Sequence, residues 1–172
     1  MKILVIGLGN PILGDDGVGW RIAEFVQNHP DLPAGVEIDF LAVGGISLME
    51  RLVGFDRAIL IDAIITHQHP IGTVIALNLD DLPDRDIGHL GSPHDATLQD
   101  ALKMGRRLGA SLPSIIELVA VESQNIYDFS EELSPPVAAA IPQAAQRVLA
   151  LLEAQSIDSE STSRPANSGG KL

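Results

Sequence analysis

The chain has 172 residues, which suits one domain, with 45% hydrophobic residues and a net charge of −12. It has no cysteine, which excludes disulfides, thiolate metal sites and cysteine nucleophiles. The acidic charge argues against nucleic acid, because carboxylates repel phosphates; it suits a basic partner, a cation or plain solubility. No run of about 18 apolar residues predicts a membrane span. The apolar run at 2–7 is too short for a secretory signal, so we expect a cytoplasmic protein.

Apolar runs separated by Gly-rich turns predict alternating strands and helices. The predicted strands are residues 2–7, 36–43, 57–65, 73–79 and 114–121, and the predicted helices are residues 17–29, a short segment after the Gly44-Gly45 turn, 94–109 and 135–154. The third strand is almost wholly apolar, which is typical of a strand buried on both faces. This alternation predicts an α/β fold with a five-stranded, mostly parallel twisted sheet and helices on both faces.

Two features refine this prediction. Only residues 66–72 separate the third and fourth strands, fewer than a parallel crossover needs, so we predict a hairpin with the fourth strand antiparallel. The segment 155–172 is rich in Ser, Gly and Pro and has no hydrophobic period, so we predict a single domain over 1–154 followed by a disordered tail.

Polar residues are expected to meet at one edge of this sheet. Ligands of such sheets bind beyond the carboxyl ends of the parallel strands. Asp15 and Asp16 follow the first strand and Asp62 ends the third, while residues 80–93 are long enough to bring His94 back to the same edge. Two carboxylates and an imidazole can hold a divalent cation and leave positions open.

Each of these residues also has a purely structural interpretation. Asp62 can cap a strand end, Asp15 and Asp16 can be acids at the start of a helix, and His94 can cap or pack. The site prediction therefore depends on their combination.

Four blocks of the sequence resemble the hydrogenase maturation endopeptidases, in order and over about residues 1–152. The blocks are Gly-Leu-Gly-Asn-Pro-Ile-Leu-Gly-Asp-Asp-Gly-Val-Gly at 7–19, Ile61-Asp62-Ala63, Ser92-Pro93-His94-Asp95 and Leu133-Ser134-Pro135-Pro136-Val137. The family fold, a twisted sheet between helices, agrees with the prediction above. One departure is the residue before Gly44-Gly45: many members have Asp there and Thr after the turn, but this chain has Val43 and Ile46.

The resemblance implies an endopeptidase that removes the C-terminal extension of a nickel–iron hydrogenase large-subunit precursor once nickel is in place. It implies that Asp16, Asp62 and His94 are both the metal ligands and the catalytic residues. We expect the precursor to supply the nickel and the isolated protein to be largely metal-free; another divalent cation is an option in vitro. The expected partner is the precursor alone, with no nucleic acid, no membrane and a monomeric protease.

Several other residues are candidates for contacts with the substrate. They are Asn10, Asp15, Gly44, Gly45 and Glu122. Asn10 can instead close its own turn, Asp15 is also a candidate general base, and the glycines suit a tight turn. His67-Gln68-His69 can be a chelate or an exposed turn.

Three other functions fit parts of the sequence. A metal-delivery or chaperone protein would need the same ligands, and a cleavage assay separates it from a protease. Peptidyl-tRNA hydrolases also begin with Gly-Leu-Gly-Asn-Pro, but the Arg-His-Asn stretch they need is replaced here by residues 15–20, Asp-Asp-Gly-Val-Gly-Trp. A dinucleotide-binding fingerprint would need glycine at Ile12, and the acidic pair would repel a pyrophosphate.

Overall fold

The computed structural model describes residues 1–81 and 97–161, with side chains up to residue 154. The strands are β1 (Ile3–Leu8), β2 (Val36–Leu41), β3 (Arg57–Ile64), β4 (Val74–Asn78) and β5 (Ile115–Glu122). The helices are α1 (Val18–Gln27), α2 (Gly45–Leu52), α3 (Leu98–Arg107) and α4 (Pro135–Ser161). Two 3₁₀ turns lie at Gly14–Gly17 and Leu79–Asp81.

The strands form one sheet in the order β2-β1-β3-β5-β4, in which β4 alone is antiparallel. The predicted mostly parallel sheet with one antiparallel strand is confirmed. The predicted hairpin between β3 and β4 is wrong, because β5 lies between them and pairs with both. The chain leaving β3 crosses the carboxyl end of β5: Ser123 N–H donates to the Ile64 carbonyl at 2.7 Å, and Gly72 N–H donates to the Glu122 carbonyl at 2.8 Å.

Helices cover both faces of the sheet. Helices α1 and α4 share one apolar core with side chains such as Val5, Ile59 and Ile61, whereas α2 and α3 share the other with Leu4 and Leu60. Alternate residues of each central strand therefore enter opposite cores, which explains the continuous apolar run of β3. Among the helices in the described residues, none has the length and apolar character to cross a bilayer.

Two helix boundaries differ from the prediction. Helix α3 begins at Leu98, not 94, because Thr97 has an extended backbone and its hydroxyl caps the helix by accepting from Asp100 N–H. Helix α4 continues to Ser161, so the segment predicted as a disordered tail begins inside a helix. Residues 162–172, the rest of that segment, lie outside the described residues.

Two glycines allow α1 to pack directly on the sheet. A Cβ at Gly19 would lie 2.3 Å from the Leu8 carbonyl oxygen and 2.4 Å from that of Ile61, and one at Gly7 would lie 2.6 Å from the Gly19 carbonyl oxygen. These neighbours are backbone atoms and cannot move aside separately. The glycines of the 7–19 block thus hold the start of α1 against β1 and β3.

Gly19→Ala is therefore expected to lower the free energy of unfolding by about 1–3 kcal/mol, the usual cost of overpacking. Urea denaturation followed by circular dichroism measures it. Gly105→Ala in α3 is the matched control, because its new Cβ would meet only side-chain ends, Met49 Sδ and Leu112 Cδ1. A Gly19→Ala protein as stable as that control would contradict the close packing.

Candidate functional site

The connections of β1 and β3 leave a crevice at the centre of the sheet. After β1 the chain passes to β2 on one side, and β3 and its successors lie on the other side of β1. This arrangement makes the carboxyl ends of β1 and β3 a topological switch point, where α/β sheets of this kind bind ligands. Asp16 follows β1 in the Gly14–Gly17 turn, which contacts β3, and Asp62 lies near the end of β3. The two predicted carboxylates therefore flank the same crevice.

The loop after β1 closes tightly around Asp16. The Asp16 side chain is 2% exposed, and its Oδ2 accepts a hydrogen bond from Asn10 N–H at 2.7 Å. Gly9 has a φ of +113°, and a Cβ there would lie 1.9 Å from the Asp16 carbonyl oxygen. Only glycine fits this position, which gives the Gly-x-Gly-Asn part of the block a structural purpose. The turn fixes the Asp16 carboxylate against the end of β1.

Asp62 is fully buried in β3, where its neighbours in the strand, Ala58–Ile61 and Ala63–Ile64, are apolar. Its Oδ1 accepts from Ala63 N–H at 2.8 Å, and it lies one residue beyond Ile61, the partner of Gly7 in β1. A buried carboxylate costs free energy unless hydrogen bonds or a cation compensate it. Two such carboxylates at one crevice form a set of hard oxygen donors suited to a divalent cation.

His94, the third predicted ligand, lies outside the described residues. Over residues 1–81 and 97–161, no group of three or more His, Asp or Glu side chains could hold a metal ion. The complete ligand set therefore stays a prediction. Helix α3, which follows His94 in the sequence, is held at both ends: Gln99 donates to the Leu79 carbonyl oxygen at 3.2 Å, and Arg106 donates to the Pro113 carbonyl oxygen at 3.3 Å.

Asp15 ties two loops of this edge together. It is fully buried, and its carboxylate accepts from the backbone N–H groups of Gln124, Asn125 and Ser134 and from the Ser134 hydroxyl, at 2.6–3.3 Å. Both oxygens are engaged by the chain itself. This arrangement favours a positioning role over the general-base and substrate-contact alternatives. The sequence does not reveal these partners, because Gln124 and Ser134 are 109 and 119 residues away from Asp15.

Asp15→Asn is expected to destabilise the protein by about 1–3 kcal/mol, because an amide nitrogen would face at least one N–H or O–H that now donates to a carboxylate oxygen. Amide hydrogen exchange should also accelerate at Asn125 and Ser134 relative to the sheet. Asp31→Asn, at an exposed carboxylate far from this edge, is the control. Unchanged exchange rates at both amides would show that the Asp15 carboxylate does not hold these two loops together.

Glu122 holds the loop between β3 and β4 through hydrogen bonds, as Asp15 holds the 124–134 loop. The side chain is fully buried, and it accepts from the N–H groups of Thr66 and His67 at 2.8 and 3.0 Å and from the Thr66 hydroxyl at 2.6 Å. His67 adopts a φ of +57°, and His67 and His69 are exposed. The loop is thus held over the end of β5, and its imidazoles are on the surface as expected for a turn.

The remaining candidates shape neighbouring turns. Asn10 Oδ1 accepts from Ile12 N–H at 3.2 Å and so closes its own turn. Gly44 precedes α2 with an extended backbone, and Gly45 has a φ of +55° at the first position of the helix. Arg51 of α2 donates a hydrogen bond to the Asp39 carboxylate of β2 and so holds the helix against that strand. This hydrogen bond is the main reason that the pKa of Arg51 is raised. These turns follow the carboxyl ends of β1 and β2.

A family model of the HycI hydrogenase maturation proteases matches residues 21–151. The chain belongs to this family. The protein is similar to the hydrogenase 2 maturation protease of Escherichia coli strain K12, with 32% identity over 158 residues that cover 92% of this chain and 94% of the relative. It is also 30% identical to the hydrogenase expression/formation protein HupM of Azotobacter chroococcum, over 88% of this chain and 71% of that protein.

Solved structures of the family share the fold. The hydrogenase maturating endopeptidase HybD of E. coli superimposes with a TM-score of 0.74 at 34% identity, covering 90% of this chain and 94% of that one. The HycI protease of Thermococcus kodakarensis has a TM-score of 0.63 at 20% identity, over 88% and 92%, and supports the fold alone. The predicted membership of the hydrogenase maturation endopeptidases is confirmed, and the protein is an endopeptidase of hydrogenase maturation. The alternatives, metal delivery and peptidyl-tRNA hydrolysis, are not favoured.

Proposed function

We propose that this protein removes the C-terminal extension from the large-subunit precursor of a nickel–iron hydrogenase, and that it recognises nickel already bound in that precursor. The observation that supports this most is the pair of buried carboxylates, Asp16 and Asp62, at the switch point of a sheet that belongs to a maturation protease. Two negative charges at one buried edge of the sheet favour a positively charged part of the substrate there.

In this proposal the nickel is part of the substrate. Asp16, Asp62 and His94 would provide two carboxylates and one imidazole to it as the precursor docks. A divalent cation held there can polarise the scissile carbonyl or a water molecule. The protein residues orient the precursor: the Gly9-Asn10 turn holds Asp16 in place, and the rigid β3 holds Asp62. The catalytic role of these residues therefore amounts to placing one peptide bond beside the metal.

The test is a cleavage assay with purified precursors. The protein is mixed with nickel-loaded and with nickel-free large-subunit precursor, and the released C-terminal peptide is measured by mass spectrometry. Cleavage of the loaded form alone is expected. Equal cleavage of both forms would refute nickel recognition, and intact precursor in every mixture would refute the proteolytic function.

We further propose that the protein acts as a cytoplasmic monomer, binds neither nucleic acid nor membranes, and is largely metal-free at rest. Carboxylate-rich sites hold transition metals less firmly than sites of several imidazoles or thiolates. Elemental analysis of protein purified without added metal tests the last point. One tightly bound zinc per chain would contradict it.

A further inference from the structure

The loop that follows β5 exposes two aromatic side chains beside the candidate site. Tyr127 is 82% exposed and Phe129 is 86% exposed, although the whole sequence has only six aromatic residues. Large apolar side chains with so little protein contact mark surfaces that bind a partner when they cluster. Ile12, in the loop after β1, is also 46% exposed. We call Ile12, Tyr127 and Phe129 the edge patch.

Hydrogen bonds hold the edge patch next to Asp16. Ser130, directly after Phe129, donates its N–H to the Ile12 carbonyl at 3.0 Å and accepts from Gly14 N–H at 2.7 Å. Gly14 lies two residues before Asp16. The Asn125 carbonyl accepts from Asp15 N–H at 2.8 Å, and the Asp15 carboxylate binds both ends of the 124–134 loop.

The loop is therefore a rigid support, not a loose segment. Ile126 and Leu133 pack against the core shared by α1 and α4, while Tyr127 and Phe129 between them stay in solvent. The backbone that carries the two aromatic side chains is thus held in place before a partner arrives. Pre-organisation of this kind lowers the entropy lost on binding.

The charge on the loop indicates the chemistry of the partner. Residues 124–134 include Asp128, Glu131 and Glu132, all exposed, and no basic residue. Val43 and Ile46, which follow β2 and are 45% and 46% exposed, add apolar surface at the same edge of the sheet. An apolar surface bordered by carboxylates fits a polypeptide that offers an apolar anchor flanked by Lys or Arg. It does not fit an anionic lipid surface.

We propose that the edge patch is the docking surface for the hydrogenase large-subunit precursor, with Tyr127 and Phe129 as the anchors and Asp15 as the residue that positions them. The inference rests on the proposed function, because the occupant is its substrate. The loop that carries the patch is hydrogen-bonded to Ile12 and Gly14, close to Asp16 in the chain, so one bound segment can span the patch and the site. Recognition is thereby separated from chemistry: the aromatic residues capture the precursor and the carboxylates act on it.

The test compares the double variant Tyr127→Ala/Phe129→Ala with wild type in two measurements, binding of nickel-loaded precursor and its cleavage. We expect Kd and KM to rise at least about tenfold, as for central aromatic residues of interfaces, with kcat within about twofold. Unfolding temperature should not change, since both side chains are exposed. The variant Tyr127→Phe/Phe129→Leu should recover most of the affinity. Leu108→Ala, which removes an 80% exposed side chain near the opposite edge, is the matched control.

The outcomes separate the docking surface from the proteolytic function. Unchanged Kd and KM in the double variant, with wild type cutting normally, would overturn the docking surface alone. Wild type that binds but does not cut would refute the proteolytic function. The Kd of the double variant would then decide the docking surface: a raised Kd supports it and an unchanged Kd overturns it. Wild type that neither binds nor cuts overturns both. A dimer in sedimentation that the double variant abolishes would assign the patch to a second copy and overturn the proposal.

Discussion

Asp16→Asn and Asp62→Asn are each expected to slow precursor cleavage by at least about 100-fold while the protein stays folded. Replacing residues that merely support metal ligands costs 10- to 100-fold, so loss of a ligand itself should cost more. Asparagine has the shape of aspartate, and its oxygen can still accept from Asn10 N–H or Ala63 N–H. The substitution therefore removes the negative charge and can keep that hydrogen bond.

Cleavage rates at saturating nickel-loaded precursor, combined with unfolding temperatures, measure this effect. Asp80→Asn, at an exposed carboxylate after β4, is the control and should cut at the wild-type rate. Rates within about threefold of wild type in both site variants would rule out the carboxylates as the catalytic centre.

Glu117→Leu is expected to lower the free energy of unfolding by about 3–5 kcal/mol, the cost of leaving one charge of a buried pair alone. Arg57 begins β3 and is only 2% exposed, and its Nε donates to Glu117 Oε2 at 2.8 Å. Its Nη2 also contacts Glu117 and donates to the Leu151 carbonyl of α4 at 2.9 Å. This pair joins β3, β5 and α4 at the edge opposite the site.

Urea denaturation of the single variant and of Arg57→Met/Glu117→Leu completes the measurement. The double variant should recover a large part of the loss, because well-packed apolar residues often replace a buried pair without penalty. Precursor cleavage below the unfolding transition should be unaffected in both. A single variant less than about 1 kcal/mol below wild type would show that solvent reaches the Arg57 charge.

Much of the fold follows from local patterns in the sequence. Continuous apolar runs such as Ala58–Ile61 identify strands buried on both faces, and short connections show that one strand is antiparallel. The local patterns do not predict which strand the antiparallel strand pairs with. A short connection fits a hairpin and equally fits a chain that crosses a third strand. Here the third strand is β5, and its Glu122, which bonds to Thr66, is 56 residues further along the chain. The end of α4 was missed because residues 155–161 have little hydrophobic period and are nevertheless helical.

The site was predictable only in part for a similar reason. Asp16 and Asp62 could be expected at one edge because the carboxyl ends of neighbouring parallel strands meet there. The role of Asp15 could not, since its partners lie 109 to 119 residues further along the chain. Two adjacent aspartates therefore look alike in sequence, yet Asp15 holds the 124–134 loop and Asp16 bonds within the loop after β1.

The position of β5 also affects how the protein can be made. Strands β3 and β4 are synthesised well before β5, which pairs Ile115 with Arg57 and Val121 with Val74. Until residue 122 has emerged, the nascent chain has an open β3 edge and a β4 with no described partner, and unpaired edges promote association between chains. Closing such distant pairs is slow. Synthesis of the last third of the chain, not the first, should therefore determine the yield of folded protease, and truncations before β5 should aggregate.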